Sequence, residues 1–361
     1  MFYEILTWED VPMRQKWEAL CNLLGCDIFF TPEYAYLWEL NGDGQATCFV
    51  YYETDKDFVL NPFLTRQINN IPIFNDLPNN IVDIITPYGY GGYLRSSERV
   101  NMDAFFDIFN QYCKENCIVS EFIRFNPVLK NHSYTPKKVF IQHWNDTVVI
   151  DLTLSIAGLW KQLTKGCRAA VKKAQKNKVI IVNDEKFANL DAFYNLYYAT
   201  MDRVNAHKYY FFSKDWFKAM VKLLNNNMAL FHGIYQNEII ASSIFLFTDT
   251  VIHYFLAGSS YEMRHLAANN LLLFEVALWA KSRGIKYFHL GGGYQPNDTL
   301  FKFKASFSPC QTHYYIGKVI HDTKYYQFLK TRRLAAGGNS ANDSDFFPEY
   351  RVPIRVFYES I

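Results

Sequence analysis

The sequence holds no HExxH pair, no P-loop and no GxSxG elbow. Zinc-peptidase, nucleotidase and serine-hydrolase chemistry therefore have no motif to stand on, and no Ser-His-Asp order takes their place. Cysteine is sparse and unpatterned: Cys21, Cys26, Cys48, Cys113, Cys117, Cys167 and Cys310, an odd set. Cys113 and Cys117 have no second ligand pair, so they read as reduced thiols, and no metal is expected. No apolar run approaches the roughly 20 residues of a membrane span. Residues 1–17 carry charges from Glu4 onward, unlike a secretory leader. The expectation is a cytoplasmic protein without stable membrane insertion. Charge of one sign is also missing, since the net value of +2 gives no global argument for nucleic acid or anionic membrane.

What is present is apolar and aromatic. Half of the 361 residues are hydrophobic and 18% aromatic, the composition of a packed protein too long for one core. Two domains are the natural division.

The chain is organised around residues 286–307, KYFHLGGGYQPNDTLFKFKASF. The run Tyr287-Phe288-His289-Leu290 has no helical period and predicts a buried strand. Gly291, Gly292 and Gly293 then let the backbone turn sharply or approach another group closely. Asn297-Asp298 offers a cap to a helix carrying Leu300, Phe301, Phe303 and Phe307, with Lys302 and Lys304 between them. Backbone N–H groups and positive charge can here face an anion, although a tight turn with solvated lysines fits the same residues.

In order, residues 2–8 predict a strand, and Trp17, Leu20, Leu23 and Leu24 a helical stripe. Thr31-Pro32-Glu33 starts a second helix. Residues 47–53 and 58–64 predict paired strands, 83–93 a strand ending in a glycine-and-tyrosine turn, 102–112 a helix and 120–126 a strand. A comparable order restarts at a strand over 147–152. A helix over 159–178, a strand over 179–182, helices over 190–204 and 214–225, and a meander over 229–257 follow. A helix over 269–283 stops at Gly284. Residues 312–319 predict a strand and 322–333 a helix. This is an α/β layering with domains at 1–147 and 148–334. Residues 335–345 predict a polar linker within a tail reaching residue 361, whose aromatic end docks as a strand or frays.

Three further stretches carry chemistry. Residues 165–178, KGCRAAVKKAQKNK, hold six basic residues and no acid, and Lys165, Arg168 and Lys172 share a helix side. Such a face suits phosphate or carboxylate partners, and equally a solvated surface. Thr86–Tyr93, TPYGYGGY, offers Tyr88 and Tyr90 as a cleft wall or an aromatic edge turn. In TMDRVNAHKYYFF, Arg203 is placed to clamp an anion, with Tyr209 beyond it.

Taken together these stretches resemble the FemABX-like, Fem-type peptidyl-aminoacyl transferases, a branch of the GNAT-fold acyltransferases. The resemblance runs through TPYGYGG, KGCRAAVKKAQKNKV, TMDR followed by Tyr209, LAANNLLLFEVALWAKSRG and LGGGYQPNDTLFKFKASF, in the family's order over residues 83–307. It implies two tandem GNAT-like domains, each a mixed sheet flanked by helices. It further implies transfer of an acyl or aminoacyl group to an amine on a cell-envelope precursor, such as that of peptidoglycan, or on a nucleotide-linked one. Neither a metal nor a covalent enzyme intermediate is implied. Aminoacyl-tRNA or acyl-CoA would serve as donor substrate with no tightly bound cofactor, and a phosphorylated or lipid-linked molecule as acceptor.

By the same resemblance Lys304 occupies the lysine of F-K-x-x-F, where its charge meets a developing oxyanion. Arg203 would face the precursor's phosphates with Arg168, Lys172 and Tyr209, Tyr88 and Tyr90 would line the cleft, and Gly292 and Gly293 would admit substrate. Two departures stand out. A lysine some members place early in the first domain has no counterpart in YAYLWELNGDGQ, and the long helical hairpin linked with tRNA is missing. The junction GSSYEMRHLAANNLL also lacks the glycine loop of CoA-using members. An acetyl-CoA-dependent N-acetyltransferase and a non-catalytic binding module on the same fold are the alternatives.

Overall fold

The computed structural model describes residues 2–337 and 346–352. The chain opens with β1 (Phe2–Thr7), α1 (Val11–Leu24), α2 (Pro32–Leu40), β2 (Gln45–Tyr52), β3 (Phe58–Gln67), β4 (Val82–Ile85), β5 (Leu94–Arg95), α3 (Met102–Glu115) and β6 (Ile118–Arg124). It continues through β7 (Phe140–Asp151), α4 (Ile156–Gln162), α5 (Lys165–Lys176), β8 (Ile180–Asn183), α6 (Leu190–Arg203) and α7 (Lys214–Leu224). Then come β9 (Met228–Tyr235), β10 (Glu238–Phe247), β11 (Val251–Ser259), α8 (Ala268–Ser282), β12 (Tyr287–Gly291), α9 (Thr299–Ala305), β13 (Gln311–Ile320) and α10 (Thr323–Ala335).

Contacts divide the chain into two compact units. One comprises Met1–Leu24, Phe29–Trp144 and Tyr315–Ile361; the other comprises Gly25–Ile28 and Asn145–Tyr314. The second unit thus ends at Tyr314 instead of running on to residue 334, because the end of β13 pairs with β6 of the first. It also takes in a four-residue segment from the early chain, which sequence periodicity gave no reason to expect.

In the first unit the strands lie in the order β1-β2-β3-β4-β6-β13, with β5 on β3. β4 and β6 run parallel and the rest of these pairs antiparallel. Phe105, Phe106 and Phe109 of α3 pack on Phe49, Tyr51 and Phe63 of the sheet. Asn101 caps α3, its side chain accepting from the N–H groups of Asp103 and Ala104. Tyr350 is fully buried and bonds Asp83 and Ser120, so residues 346–352 dock as a short 3₁₀ turn, not as a strand. Most of the expected linker lies outside the described residues.

In the second unit the order is β7-β12-β11-β10-β9-β8, with β11 and β12 parallel. One face carries α5 and α8, whose Cys167, Val171, Leu272 and Val276 pack with Ile252, Phe288 and Leu290 of the sheet. α6 lies against β10 and β11. The helix expected over 159–178 is broken. Leu163 is extended at ψ 141°, and Thr164 restarts the helix by accepting from the N–H of Cys167. The continuous apolar period across the break hid it, because a capping threonine reads as an ordinary helix residue in a lysine-rich run.

Candidate active site

The end of β12 builds the site in the second unit. Gly291 takes φ +74°, in the left-handed region that favours glycine, and turns the chain out of the sheet. A side chain at Gly293 would collide with the Asp298 carboxylate, its Cβ 2.2 Å from Oδ1. The same carboxylate accepts from the N–H groups of Tyr294 (2.7 Å), Gln295 (3.1 Å) and Phe301 (2.7 Å), closing the turn and capping α9. Burial raises the Asp298 pKa, but these donors outweigh it and hold the carboxyl below its usual range. Asp298→Ala is expected to cost about 1–2 kcal/mol in urea unfolding, and Asp298→Asn distinctly less, since asparagine keeps a capping oxygen.

Lys304 leaves α9 toward this turn. Its Nζ donates to the Gly292 carbonyl at 2.7 Å and lies 5.8 Å from the centre of the Tyr254 ring. The residue is only 8% exposed, whereas Lys302 on the same short helix is exposed. Burial pushes the Lys304 ammonium down to about 8, against the opposing pull of Asp298. One N–H is spent on Gly292, and an ammonium has three. Burial also pushes the Tyr254 hydroxyl up to about 12, against the opposing pull of the Ser243 hydroxyl.

Arg203 ends α6 and is held otherwise. It donates to the Ser259 carbonyl (3.2 Å) and to Thr200 Oγ1 (3.3 Å), and stacks 5.6 Å from the Tyr261 ring. Arg264 covers the same ring at 3.7 Å, so two guanidiniums share one exposed tyrosine. Tyr209 sits on the edges of Tyr210 and Phe212. Arg168 donates to the carbonyls of Lys161 and Leu163, so its guanidinium closes the C-terminal end of α4. Lys172 is exposed, 5.8 Å from the Trp160 ring. Tyr88 and Tyr90 belong to the first unit, where Tyr88 lies tilted on Trp38 and Tyr90 meets Phe29 edgewise.

Sequence reading missed a set of buried polar side chains in the same unit: Asp27, His253 and His289. His253 Nε2 lies 3.0 Å from both Asp27 oxygens, and its Nδ1 lies 3.1 Å from His289 Nδ1. The position of His289 just before three glycines was legible, but its partners come from distant parts of the chain. A second buried ladder, Ser242–His232–Asp184, has Oγ to Nδ1 at 2.9 Å and Nε2 to Oδ2 at 3.3 Å. It imitates a hydrolase triad, but Ser242 is wholly buried and Asp184 is occupied with the N–H groups of Ala188 and Asn189. Its role is to tie β9 and β10 to the turn after β8.

Comparison with known proteins bears on the fold that carries these residues. Residues 161–304, the stretch from α4 through Lys304, match the family described as an acetyltransferase (GNAT) domain. This is a GNAT-fold protein. Its structure is similar to that of FemX at TM-score 0.64 and 12% identity, over 91% of this chain and 99% of that one. A conserved protein of unknown function from Bacteroides thetaiotaomicron is similar at TM-score 0.56 and 9% identity, over 88% and 100% of the two chains. The C-terminal domain (DUF2156) of a protein assigned as a lysylphosphatidylglycerol synthetase from Agrobacterium fabrum reaches TM-score 0.54 at 12% identity, over 84% and 91%. No curated protein matches the sequence significantly. Among the described residues, no helix is long and apolar enough to cross a membrane. The fold and the family match together support acyl transfer as the reaction class.

Proposed function

We propose that this protein transfers an acyl or aminoacyl group to the amine of a phosphorylated or lipid-linked acceptor, such as a cell-envelope precursor. The observation that carries the reading is the buried Lys304 ammonium, fixed on Gly292 O at the end of β12 with two N–H bonds to spare. In the reaction the acceptor nitrogen attacks the acyl carbonyl, a C–N bond forms, and the carbonyl oxygen gains charge. The ammonium donates to that oxygen. The tetrahedral intermediate then collapses as the bond to the leaving thiol or hydroxyl breaks. A fixed donor of this kind stabilises the transition state more than the ground state.

Donor identity has two versions. An aminoacyl ester of tRNA follows from the Fem-like motifs. An acyl-CoA is favoured by the acetyltransferase description of residues 161–304. It also has a place to bring its pyrophosphate, since α8 begins after Ala267 at φ +57° with no side-chain cap on its N-terminus. Incubation with charged tRNAs and with acyl-CoAs over a panel of amines, read by mass spectrometry, separates the two. Amide formed with neither, together with a phosphorylated ligand that co-purifies, would make the protein a binding module.

Arg203, with Lys172, is the acceptor's anion clamp in this reading. Arg203→Ala is expected to weaken a phosphorylated acceptor by about 1.5–3 kcal/mol and to flatten the salt dependence of binding. Arg168→Ala should instead lower stability, since it strips two backbone carbonyls of their donor. Titration calorimetry at two salt concentrations and urea unfolding decide the assignment. An unchanged affinity in Arg203→Ala would return that residue to ordinary surface charge.

A further inference from the structure

The positive charge of this chain is not spread evenly along it. Lys161, Lys165, Arg168, Lys172, Lys173, Lys176 and Lys178 take seven of the 37 basic residues, and none of the 35 acids falls among them. The rest of the chain is therefore net −5, although the whole is +2. Among the described residues, no ion pair neutralises any of the seven. Such a segment concentrates its field on one surface.

α5 turns a row of lysines outward. Its Cys167, Val171 and Ala174 are buried, and the side opposite them carries Lys165, Lys172 and Lys176 within an arc of about 40°. At 1.5 Å per residue the row is roughly 16 Å long. All three are exposed, and so is Lys173 beside them.

Next to this row the chain leaves aliphatic side chains in water. Residues 153–157, TLSIA, are exposed without a break, with Leu154 at 38% and Ile156 at 59%. Ser155 caps α4 in their midst by accepting from the Gly158 N–H, which gives this tip a defined shape. Ile156 and Trp160 stand four apart on one side of α4, and Lys172 lies over the Trp160 ring. The aliphatic tip and the lysine row thus form one strip.

Charge and aliphatic surface together select the partner. Lysine heads beside leucine and isoleucine match the boundary between anionic lipid headgroups and their acyl chains. A nucleic acid would also meet the lysines, but it offers nothing to Leu154 and Ile156. The Trp160 ring is packed against Phe274 and covered by Lys172, so it is not open for a base to stack on.

We propose that the outward face of α5 and the tip at residues 153–157 dock this protein on an anionic lipid bilayer. The docking is peripheral: the tip enters the headgroup boundary and the lysine row lies along it. This surface is tied to the candidate active site. The Thr164 N–H, at the start of α5, donates to the Ser306 carbonyl at 2.9 Å, two residues beyond Lys304. A bilayer that holds α5 therefore also holds α9, which suits an acceptor that is itself lipid-linked. The docking goes beyond the acyl-transfer reading and does not depend on it.

Co-sedimentation with vesicles of phosphatidylcholine, alone or mixed with an equal part of phosphatidylglycerol, is the test. The protein should sediment with the mixed vesicles only, and detach as salt rises. A lysine near an anionic surface is worth roughly fivefold in affinity, so the double variant Lys165→Gln, Lys176→Gln should bind about twentyfold more weakly. Lys137→Gln with Lys324→Gln makes the same charge change on exposed residues of the first unit, and should stay within about twofold of wild type. Ile156→Ser keeps every charge and should still lower vesicle affinity about tenfold. All of these side chains are exposed, so urea midpoints should stay at the wild-type value. Equal losses in the two lysine pairs would show attraction to net charge alone and overturn the docked face. Binding untouched by Ile156→Ser, with an RNA oligonucleotide displacing the vesicles, would overturn it in favour of nucleic acid. A protein that transfers an acyl group yet ignores the mixed vesicles would overturn the docking and leave the acyl-transfer reading standing. One that docks and transfers nothing would do the reverse.

Discussion

Lys304→Met will lower turnover by on the order of a hundred- to a thousandfold, the usual loss of about 2.7–4 kcal/mol for one oxyanion donor. Methionine keeps the stem that fills the space beside Tyr254 and removes the charge. Substrate affinity should change little, because the donor acts on the charge that develops and not on the ground state. Lys302→Met is the control on the same helix, since Lys302 is exposed and points away. Equal losses in both variants, or none in either, would reduce Lys304 to a packing residue. The ammonium form is the active one, so wild-type activity should also fall as pH rises through about 8, where Lys304 loses its proton.

The same substitution has a stability signature whose sign can be worked out. Lys304 is depressed from 10.5 to about 8 in the folded protein, so between those values the unfolded chain binds more protons. Stability therefore rises with pH across that window and carries a penalty below it, roughly 3 kcal/mol at about 1.36 kcal/mol per unit. Methionine removes the penalty at pH 7 but leaves Gly292 O without its donor, a loss of about 1–3 kcal/mol. The two nearly cancel at pH 7. At pH 10 roughly three quarters of that penalty has gone, so Lys304→Met should be close to wild type in the neutral range and less stable in alkali. Urea midpoints at both values check the crossing.

The pieces legible in the sequence are those decided locally. The strand before Gly291, the capping role of Asp298 and the departure of Lys304 from the Phe303–Phe307 face all follow from spacing and residue type over about twenty residues. The break at Leu163–Thr164 failed to show because neither residue is a glycine or proline, and both helices use the same apolar period. Arg168 illustrates a different limit. Its place on a basic helix side was readable, but its guanidinium is taken up by carbonyls across that hidden break. The Asp27–His253–His289 chain lay furthest out of reach. Its carboxylate is 226 residues from its imidazole, and hydrophobic patterning treats all three as interruptions of a core.

Gly258→Ala should be the most destabilising small change in the second unit, by about 3 kcal/mol or more. A Cβ at Gly258 would stand 2.4 Å from Leu196 C and Tyr197 N, which are backbone atoms of α6 and cannot rotate away. The helix would have to lift off β11. It is held there by Phe193, Tyr197 and Met201, all buried, and by Thr200, whose Oγ1 accepts from the Ser259 N–H at 3.1 Å. Arg203 depends on the same seat, since its contact with Ser259 O exists only while α6 lies against the strand end. The variant should therefore lose anion binding together with stability, whereas Arg203→Ala loses binding alone. Gly166→Ala is the opposite control. Nothing lies within 4 Å of its added methyl, and it sits in helix α5, so it should gain up to about 1 kcal/mol. Urea unfolding of both, with phosphate-ester binding measured on each, tests the pair. A Gly258→Ala midpoint within about 0.5 kcal/mol of wild type would mean that α6 can shift without cost, and Arg203 would then lose its claim to a fixed place in the site.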